Sequence, residues 1–551
     1  MVTPAEHPLV SVLMPTYNRP ERLAEAVQSV LSQTYDRLEI VVIRDGGAPV
    51  RPVLDAFPDE RIRLIDRPYN RGKAYSLNEA FEQIRGEYVC YLDDDDWYYP
   101  WHVQTLVEAI DGQDQYGLVY SDLYKAHCRV MADGRRVILA KNVEVSRDFD
   151  RMLMLQFNHV LHMSVMHRRK LLERAGGYNE DLTVLIDWDL NRRLCFYTDF
   201  LHVPEVTGEY YGPVGECDRI SVRRRKDVNE YLRNLLTIRA TRPPKPWDRV
   251  QDLSVLILAE RADASLDQTI RDLWSHTFYP SQIYVSLPGE QGANWKPVVP
   301  NVVKVPAEAG DSSARRADRL LEVCEGEFTA VVPVGLPVEK DEKAWVERSL
   351  YPLLNSSEPN VGYMLVEATE SQWGGVFRRA ELSEARRNFA HLPLRQSAEA
   401  AGIRMRKPKI EEYPFQFDNR LTMAEQMQRE GNWIRAAEIY EGLGMRFGNE
   451  FWMQARQANA LFYAGRYEAA IERIETVNQV RPTVSSLLLE GRASAGRKDY
   501  PRALVLYQQA DSILEGQEDR IRKPIHQRKK SWMEPAGCGS VSSQQESCPW
   551  T

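Results

Sequence analysis

Four consecutive aspartates, Asp93 to Asp96, close an apolar run, Tyr88-Val89-Cys90-Tyr91-Leu92. Carboxylates crowded at the C-terminal end of a buried strand repel one another, and the arrangement is costly unless a cation sits among them. A solvated acidic turn is the plain alternative. The preceding segments weigh against it. Leu9 to Met14 is a β-rich apolar run that stops at Pro15-Thr16-Tyr17-Asn18-Arg19. Pro20 and Glu21 then open a helical pattern with Leu23, Ala26, Val27, Val30 and Leu31 on one face. Leu38 to Ile43 reads as a second strand, ended by Arg44-Asp45-Gly46-Gly47, and Arg61 to Ile65 as a third. Asn70-Arg71-Gly72-Lys73 precedes a helix through Leu77, Ala80, Phe81 and Ile84. Strands alternating with helices, with polar residues gathered at strand C-termini, predict an open α/β sheet that binds its ligand there.

At 551 residues the chain exceeds one ordinary core, and about three domains are expected. The net charge of −8 gives no reason to expect nucleic-acid binding. No run is long and apolar enough to span a bilayer, and no basic-then-apolar signal segment opens the chain. The seven cysteines form no C-x-x-C pair, which favours a reduced, cytoplasmic setting over structural zinc.

Five segments occur in order: Val10 to Asn18, Ser29 to Thr34, Asp45-Gly46-Gly47, Asn70-Arg71-Gly72 and Leu92 to Asp96. Together, over about the first 240 residues, they resemble a family 2 glycosyltransferase of the GT-A fold. The resemblance implies inverting transfer of a sugar from a nucleotide-diphosphate donor with Mn²⁺ or Mg²⁺. It assigns Thr16 and Asp45 to the nucleobase, with Asp45 accepting the uracil N–H, which favours UDP. Asp45 also reads as a turn residue before two glycines. Arg71 is assigned to the base edge or a phosphate, with a surface arginine as the alternative. Asp93 and Asp95 form the D-x-D pair: Asp95 binds the metal, and Asp93 holds ribose or metal-bound water. Asp96 accepts a donor-sugar hydroxyl, and Asp94 is expected to face solvent.

Inversion needs a base on the face opposite the leaving group. The family's base carboxylate opens a helix about ninety residues past the metal motif, where this chain reads Leu185-Ile186-Asp187-Trp188-Asp189-Leu190. Asp187 matches the base, and Ile186 replaces the usual glutamate. Asp189 is the rival, but carboxylates two apart on a helix do not share a face. Asp187 also reads as a helix N-cap, and Trp188 as either an acceptor platform or a buried aromatic. The histidine that completes the metal shell in many relatives is missing between Glu209 and Arg219. Arg219 and Arg223 to Arg225 form a basic cluster suited to clamping phosphate or to facing solvent.

After a linker, Thr241 to Pro246, the chain echoes itself. Leu253 to Ile257 matches Val10 to Met14, Trp274 to Phe278 matches Leu31 to Tyr35, Gly326-Glu327-Phe328 matches Gly86-Glu87-Tyr88, and Val376 to Arg379 is aligned with Val165 to Arg168. A degenerate glycosyltransferase-like domain is therefore expected over 250–415, after a catalytic domain over 1–245. Its chemistry is gone: Pro333-Val334-Gly335-Leu336 replaces the aspartates, Pro288 replaces Asp45, and Gly310-Asp311-Ser312 replaces the Asn70 loop. Then Gly431-x-Trp433-x-x-Ala436, Gly465-x-Tyr467-x-x-Ala470 and Lys498-x-Tyr500-x-x-Ala503 recur at spacings of 34 and 33. That is the tetratricopeptide period. About three all-α repeats are expected over 418–515, with a disordered tail over 516–551.

The leading reading is an inverting glycosyltransferase of hexosyl- or N-acetylhexosaminyltransferase type, whose repeats recruit a protein or peptide acceptor. A second is a polysaccharide or cell-wall glycan transferase whose repeats only drive homo-oligomerisation. A third, from another class, is a non-catalytic interaction scaffold. A nucleotidyltransferase is disfavoured, because Pro15-Thr16-Tyr17-Asn18 stands where a glycine-rich basic loop would follow the first strand.

Overall fold

Strand β1 (Val10–Thr16) is buried along almost its whole length, as expected of a central parallel strand covered on both faces. The computed structural model describes residues 7–131, 135–143, 145–213, 228–308, 310–336, 344–365, 373–409, 412, 419–447, 451–480, 482, 484–510 and 512. The basic cluster Arg219 and Arg223 to Arg225 and the segment 516–551 lie outside these residues. Strand β1 pairs in parallel with β2 (Leu38–Asp45) and with β4 (Tyr88–Tyr91), and β2 pairs with β3 (Ile62–Arg67). Strands β5 (Trp97–Tyr98), β6 (Tyr116–Val130), β7 (Arg136–Val143), β8 (Val165–Arg168) and β9 (Asp199–Pro213) complete a nine-stranded sheet. Its order is β3-β2-β1-β4-β8-β6-β9-β5, with β7 hairpinned on β6. Helices α1 (Pro20–Leu31) and α2 (Lys73–Phe81) follow β1 and β3, while α3 (Ile186–Leu194) precedes β9. The ends of β1, β2 and β4 thereby bring Thr16, Asp45 and the aspartates to one edge.

Helix α4 (Val228–Ala240) leads into a second, seven-stranded sheet. Its strands are β10 (Leu253–Leu258), β11 (Ser281–Ser286), β12 (Val302–Val305), β13 (Phe328–Val331), β14 (Val361–Met364), β15 (Gly375–Arg378) and β16 (Arg404–Arg406). Their order, β12-β11-β10-β13-β15-β14-β16, repeats that of β3-β2-β1-β4-β8-β6-β9. Every neighbouring pair keeps its parallel or antiparallel sense. The likeness extends to single bonds. Ser11 Oγ accepts from Gly86 N at 2.9 Å, and Ser254 Oγ accepts from Gly326 N at 2.9 Å. A Cβ on either glycine would come within 2.6 Å of the serine's backbone nitrogen, so only glycine allows this approach. The register corrects one sequence alignment. Tyr88 opposes Arg168 as Phe328 opposes Arg378, so Val376 answers to Met166, one place along from Val165. Cross-strand pairing sets register, and local similarity in a short apolar strand does not.

The two sheet units share one apolar core, in which Leu13, Leu194 and Phe196 belong with Val255, Phe278 and Trp345. A helical array follows: α5 (Asn419–Arg429), α6 (Trp433–Phe447), α7 (Phe451–Tyr463), α8 (Tyr467–Val480), α9 (Val484–Gly496) and a further helical stretch over 500–510. Gly431, Gly465 and Lys498 each take a left-handed backbone at a helix end, with φ of 76°, 74° and 68°. Each is followed by the same pair of bonds back into the helix, such as Asn432 N to Met427 O at 2.8 Å and Arg466 N to Leu461 O at 2.9 Å. Ala436, Ala470 and Ala503 are buried where helices approach. Helix α9 lies against β7. Among the described residues no helix is long and apolar enough to cross a membrane.

Candidate functional site

Asp45 ends β2 and is buried beside the loop that opens α2. Its Oδ1 accepts from Arg71 N and its Oδ2 from Gly72 N, both at 2.8 Å. The loops touch because residue 46 is glycine: a Cβ there would sit 2.7 Å from Asn70 N, and its φ of +75° disfavours a side chain. Asp45 therefore shapes the Asn70-Arg71-Gly72 loop, using one lone pair on each oxygen. Arg71 is exposed, with its guanidinium 3.5 Å above the Tyr75 ring. Arg67, which ends β3, reaches Glu79 at 3.0 Å and Asp45 at 3.4 Å.

The four aspartates part in direction. Asp93, Asp95 and Asp96 bring carboxylate oxygens within 4.8 Å of one another, a grouping able to hold a metal ion. Three oxygens from carboxylates suit a hard divalent cation such as Mg²⁺ or Mn²⁺. Asp96 thus joins the pair that the D-x-D spacing singles out, and its Oδ1 also accepts from Tyr211 N at 3.1 Å. Asp94 corrects an expectation. It is buried, not solvent-facing, and accepts from Thr16 Oγ1 at 2.7 Å. Burial, then the neighbouring Asp95 charge, pushes its carboxyl up to about 7. Thr16 accordingly fastens the aspartate turn to β1.

At an effective dielectric of ~20, two carboxylates this close repel by about 3 kcal/mol before solvent screening. The chain supplies cations against that cost. Arg19 reaches Asp95 at 2.8 Å and Asp94 at 3.4 Å. Lys73, the first residue of α2, is ion-paired with Asp93. Burial alone would lower the Lys73 ammonium, but Asp93, with Asp187 and Asp96 beyond it, raises it above the ordinary lysine range. Arg136, on β7, donates to Asp95 O at 2.6 Å and lies 3.6 Å over the Tyr211 ring. Arg19 and Lys73 were legible as residues adjoining two of the motifs, though sequence reasoning gave them no part. Arg136 carried no signal, because only the hairpin brings it to the acidic turn.

Asp187 is the second residue of α3, after Leu185 at the cap position, and so is not itself the N-cap. Its Oδ2 accepts from Asn158 Nδ2 at 3.0 Å. Burial raises its carboxyl above the usual range, opposed by the Lys73 charge. Asp189 lies on the other face, fully buried, and is held by Arg193 at 2.8 Å and 3.0 Å. Trp188 is buried, with Nε1 donating to Met154 O at 2.8 Å, so it presents no ring to an acceptor. In the second sheet unit Val332 N bonds Leu256 O as Leu92 N bonds Leu13 O, which places Pro333 to Leu336 at the aspartate positions.

The chain is 27% identical over 184 residues to the uncharacterized glycosyltransferase YwdF of Bacillus subtilis, covering 33% of this chain and 67% of that protein. It is 29% identical over 188 residues to an uncharacterized glycosyltransferase of Haemophilus influenzae, covering 33% and 71%. With the protein CgeD of Bacillus subtilis it shares 28% over 223 residues, covering 37% and 50%. Among solved structures, the Mannosyltransferase PcManGT from Pyrobaculum calidifontis in complex with GDP-Man and Mn²⁺ aligns at 21% identity with a TM-score of 0.33, over 44% of this chain and 67% of that one. The family model for glycosyl transferase family 2 matches residues 11–169, from β1 to just past β8, and so takes in all four aspartates but not Asp187. The chain thus carries a family 2 glycosyltransferase domain over residues 11–169.

Proposed function

We propose that residues 1–245 catalyse metal-dependent, inverting transfer of a sugar from a nucleotide-diphosphate donor, with UDP favoured. One observation carries this reading: the Asp93, Asp95 and Asp96 carboxylates converge beside Lys73, whose charge also acts on Asp187. A metal-binding cluster and a burial-raised carboxylate then flank one site. Mn²⁺ or Mg²⁺ bound there would neutralise charge on the leaving nucleotide. Asp95 and Asp93 hold that cation, and Asp96 is placed to serve it or a sugar hydroxyl. Thr16, Asp45 and Arg71 frame the nucleobase side. Asp187 accepts the acceptor's proton as the acceptor attacks.

The second sheet unit, over 250–415, we read as a degenerate copy of the first. Identical strand order and matching Ser–Gly bonds support common ancestry, and Pro333 to Leu336 offer no carboxylates. The array over 418–515 we read as tetratricopeptide repeats that recruit a protein or peptide acceptor. The recurrent left-handed helix ends support the repeat, and its recruitment role is inferred from the architecture.

Calorimetric titration with UDP-sugars tests the donor site. Binding is expected with Mn²⁺, lost in chelator and lost in Asp95→Asn. Full transfer activity in chelator would remove the metal assignment.

A further inference from the structure

Helix α3 starts from Leu185, a non-glycine residue at φ 64°, a backbone that L residues rarely adopt. Asp187 stands two residues beyond that turn. A helix entered this way needs to be held from elsewhere, and its far side is. Arg192 is completely buried. Its guanidinium donates to four carbonyls: Leu155 O at 3.4 Å, Thr241 O at 2.8 Å, Arg239 O at 2.9 Å and Phe278 O at 3.2 Å. Arg239 and Thr241 lie at the C-terminal end of α4, where free carbonyls carry the helix's partial negative charge. Phe278 belongs to the second sheet unit, in the turn before β11. That turn is itself pinned. Glu347, fully buried, accepts from Phe278 N at 2.7 Å and Tyr279 N at 2.8 Å on one oxygen.

We infer that the second sheet unit acts as a buttress for the catalytic one: Glu347 fixes the 278–279 turn, the turn and α4 hold Arg192, and Arg192 holds α3 with Asp187 in its working position. Arg192 and Glu347 are positioning residues in this scheme. A unit whose aspartate positions read Pro333 to Leu336 then keeps its fold because the first unit's base helix rests on it. The inference relies on the reading of Asp187 as the base.

The test uses the full chain with Arg192→Lys, Glu347→Met and Asp187→Asn, singly and combined. Arg192→Lys and Glu347→Met should lower kcat for transfer by roughly tenfold to a hundredfold, the scale of a small misplacement of a reacting group. The donor KM should stay within about twofold, because the acidic cluster sits on other elements. Amide hydrogen exchange over residues 186–194 should quicken. Neither substitution should lower transfer further in an Asp187→Asn background. Additive losses in that background, or an unchanged kcat despite quickened exchange, overturns the buttress. If Asp187→Asn alone transfers normally, the base assignment fails, while exchange at 186–194 still decides whether the second unit holds the helix. Should Arg192→Lys not fold, Glu347→Met carries the same test, since its pinned partners are backbone amides of the second sheet unit.

Discussion

The Lys73 ammonium is ion-paired with Asp93 while its charge also acts on Asp187, so one side chain links the acidic cluster on the sheet to the carboxylate on the facing helix. The lysine competes for Asp93 with any cation entering the cluster. Its place at the first position of α2 follows from Asp45, which anchors the two amides immediately before it.

Replacing Lys73 should therefore have opposite effects on two ligands. Lys73→Met should raise Mn²⁺ affinity without nucleotide by about tenfold, because a competing positive charge is gone. It should lower sugar transfer, because the charge that opposes protonation of Asp187 goes with it. Paramagnetic titration of Mn²⁺ and steady-state transfer rates measure the two. Unchanged Mn²⁺ affinity would mean that Lys73 swings clear of the site in solution.

The two carboxylates of α3 should separate cleanly. Asp187→Asn should lower transfer by about two to four decades, the range for a lost general base, with donor binding nearly intact. Asp189→Asn removes half of a buried ion pair with Arg193 and should cost about 3 kcal/mol of stability. Urea unfolding and transfer kinetics on both variants check this. A stable, inactive Asp189→Asn beside an active Asp187→Asn would reverse the roles.

Four imidazoles make stability depend on acid. Burial lowers His102 and His162 to about 3, and His159 and His167 to about 4. Each stays neutral when folded but takes a proton when unfolded below its ordinary value of ~6.5. Their contribution is thus complete above that pH and is lost as pH falls toward 4. Together they should remove roughly 5 kcal/mol between pH 6 and pH 5. Urea midpoints across that window read the slope, and His102→Gln should reduce it by about a quarter.

Removing the chain from Asn419 onward should leave both sheet units folded, since their shared core includes no array residue. Hydrolysis of donor to water should persist, and transfer to the natural acceptor should fall as its local concentration drops. Donor hydrolysis, acceptor kinetics and molecular mass measured on the truncated chain distinguish recruitment from self-association. A monomer with normal acceptor kinetics would remove the reason for favouring a protein acceptor.

The sequence alone determined which elements form and where their polar ends fall. Apolar runs stopped by Pro15, Asp45 and Asp93 specify parallel strands with a ligand edge, and periodic small and aromatic residues specify the array. These signals are local, carried by burial pattern and turn chemistry within a few residues. What faces what was decided only by tertiary structure. The strand end turns Asp94, expected to face solvent, inward to Thr16 and leaves Asp96 beside Asp93 and Asp95. Helix phase sends Asp189 to Arg193 and Asp187 toward Lys73. Hairpin β6–β7 carries Arg136 to Asp95, and the second sheet carries Phe278 O to Arg192. Apart from the i,i+4 pair Asp189–Arg193, such pairings span dozens of residues, and their strength depends on desolvation and geometry that exist only once the layers have packed.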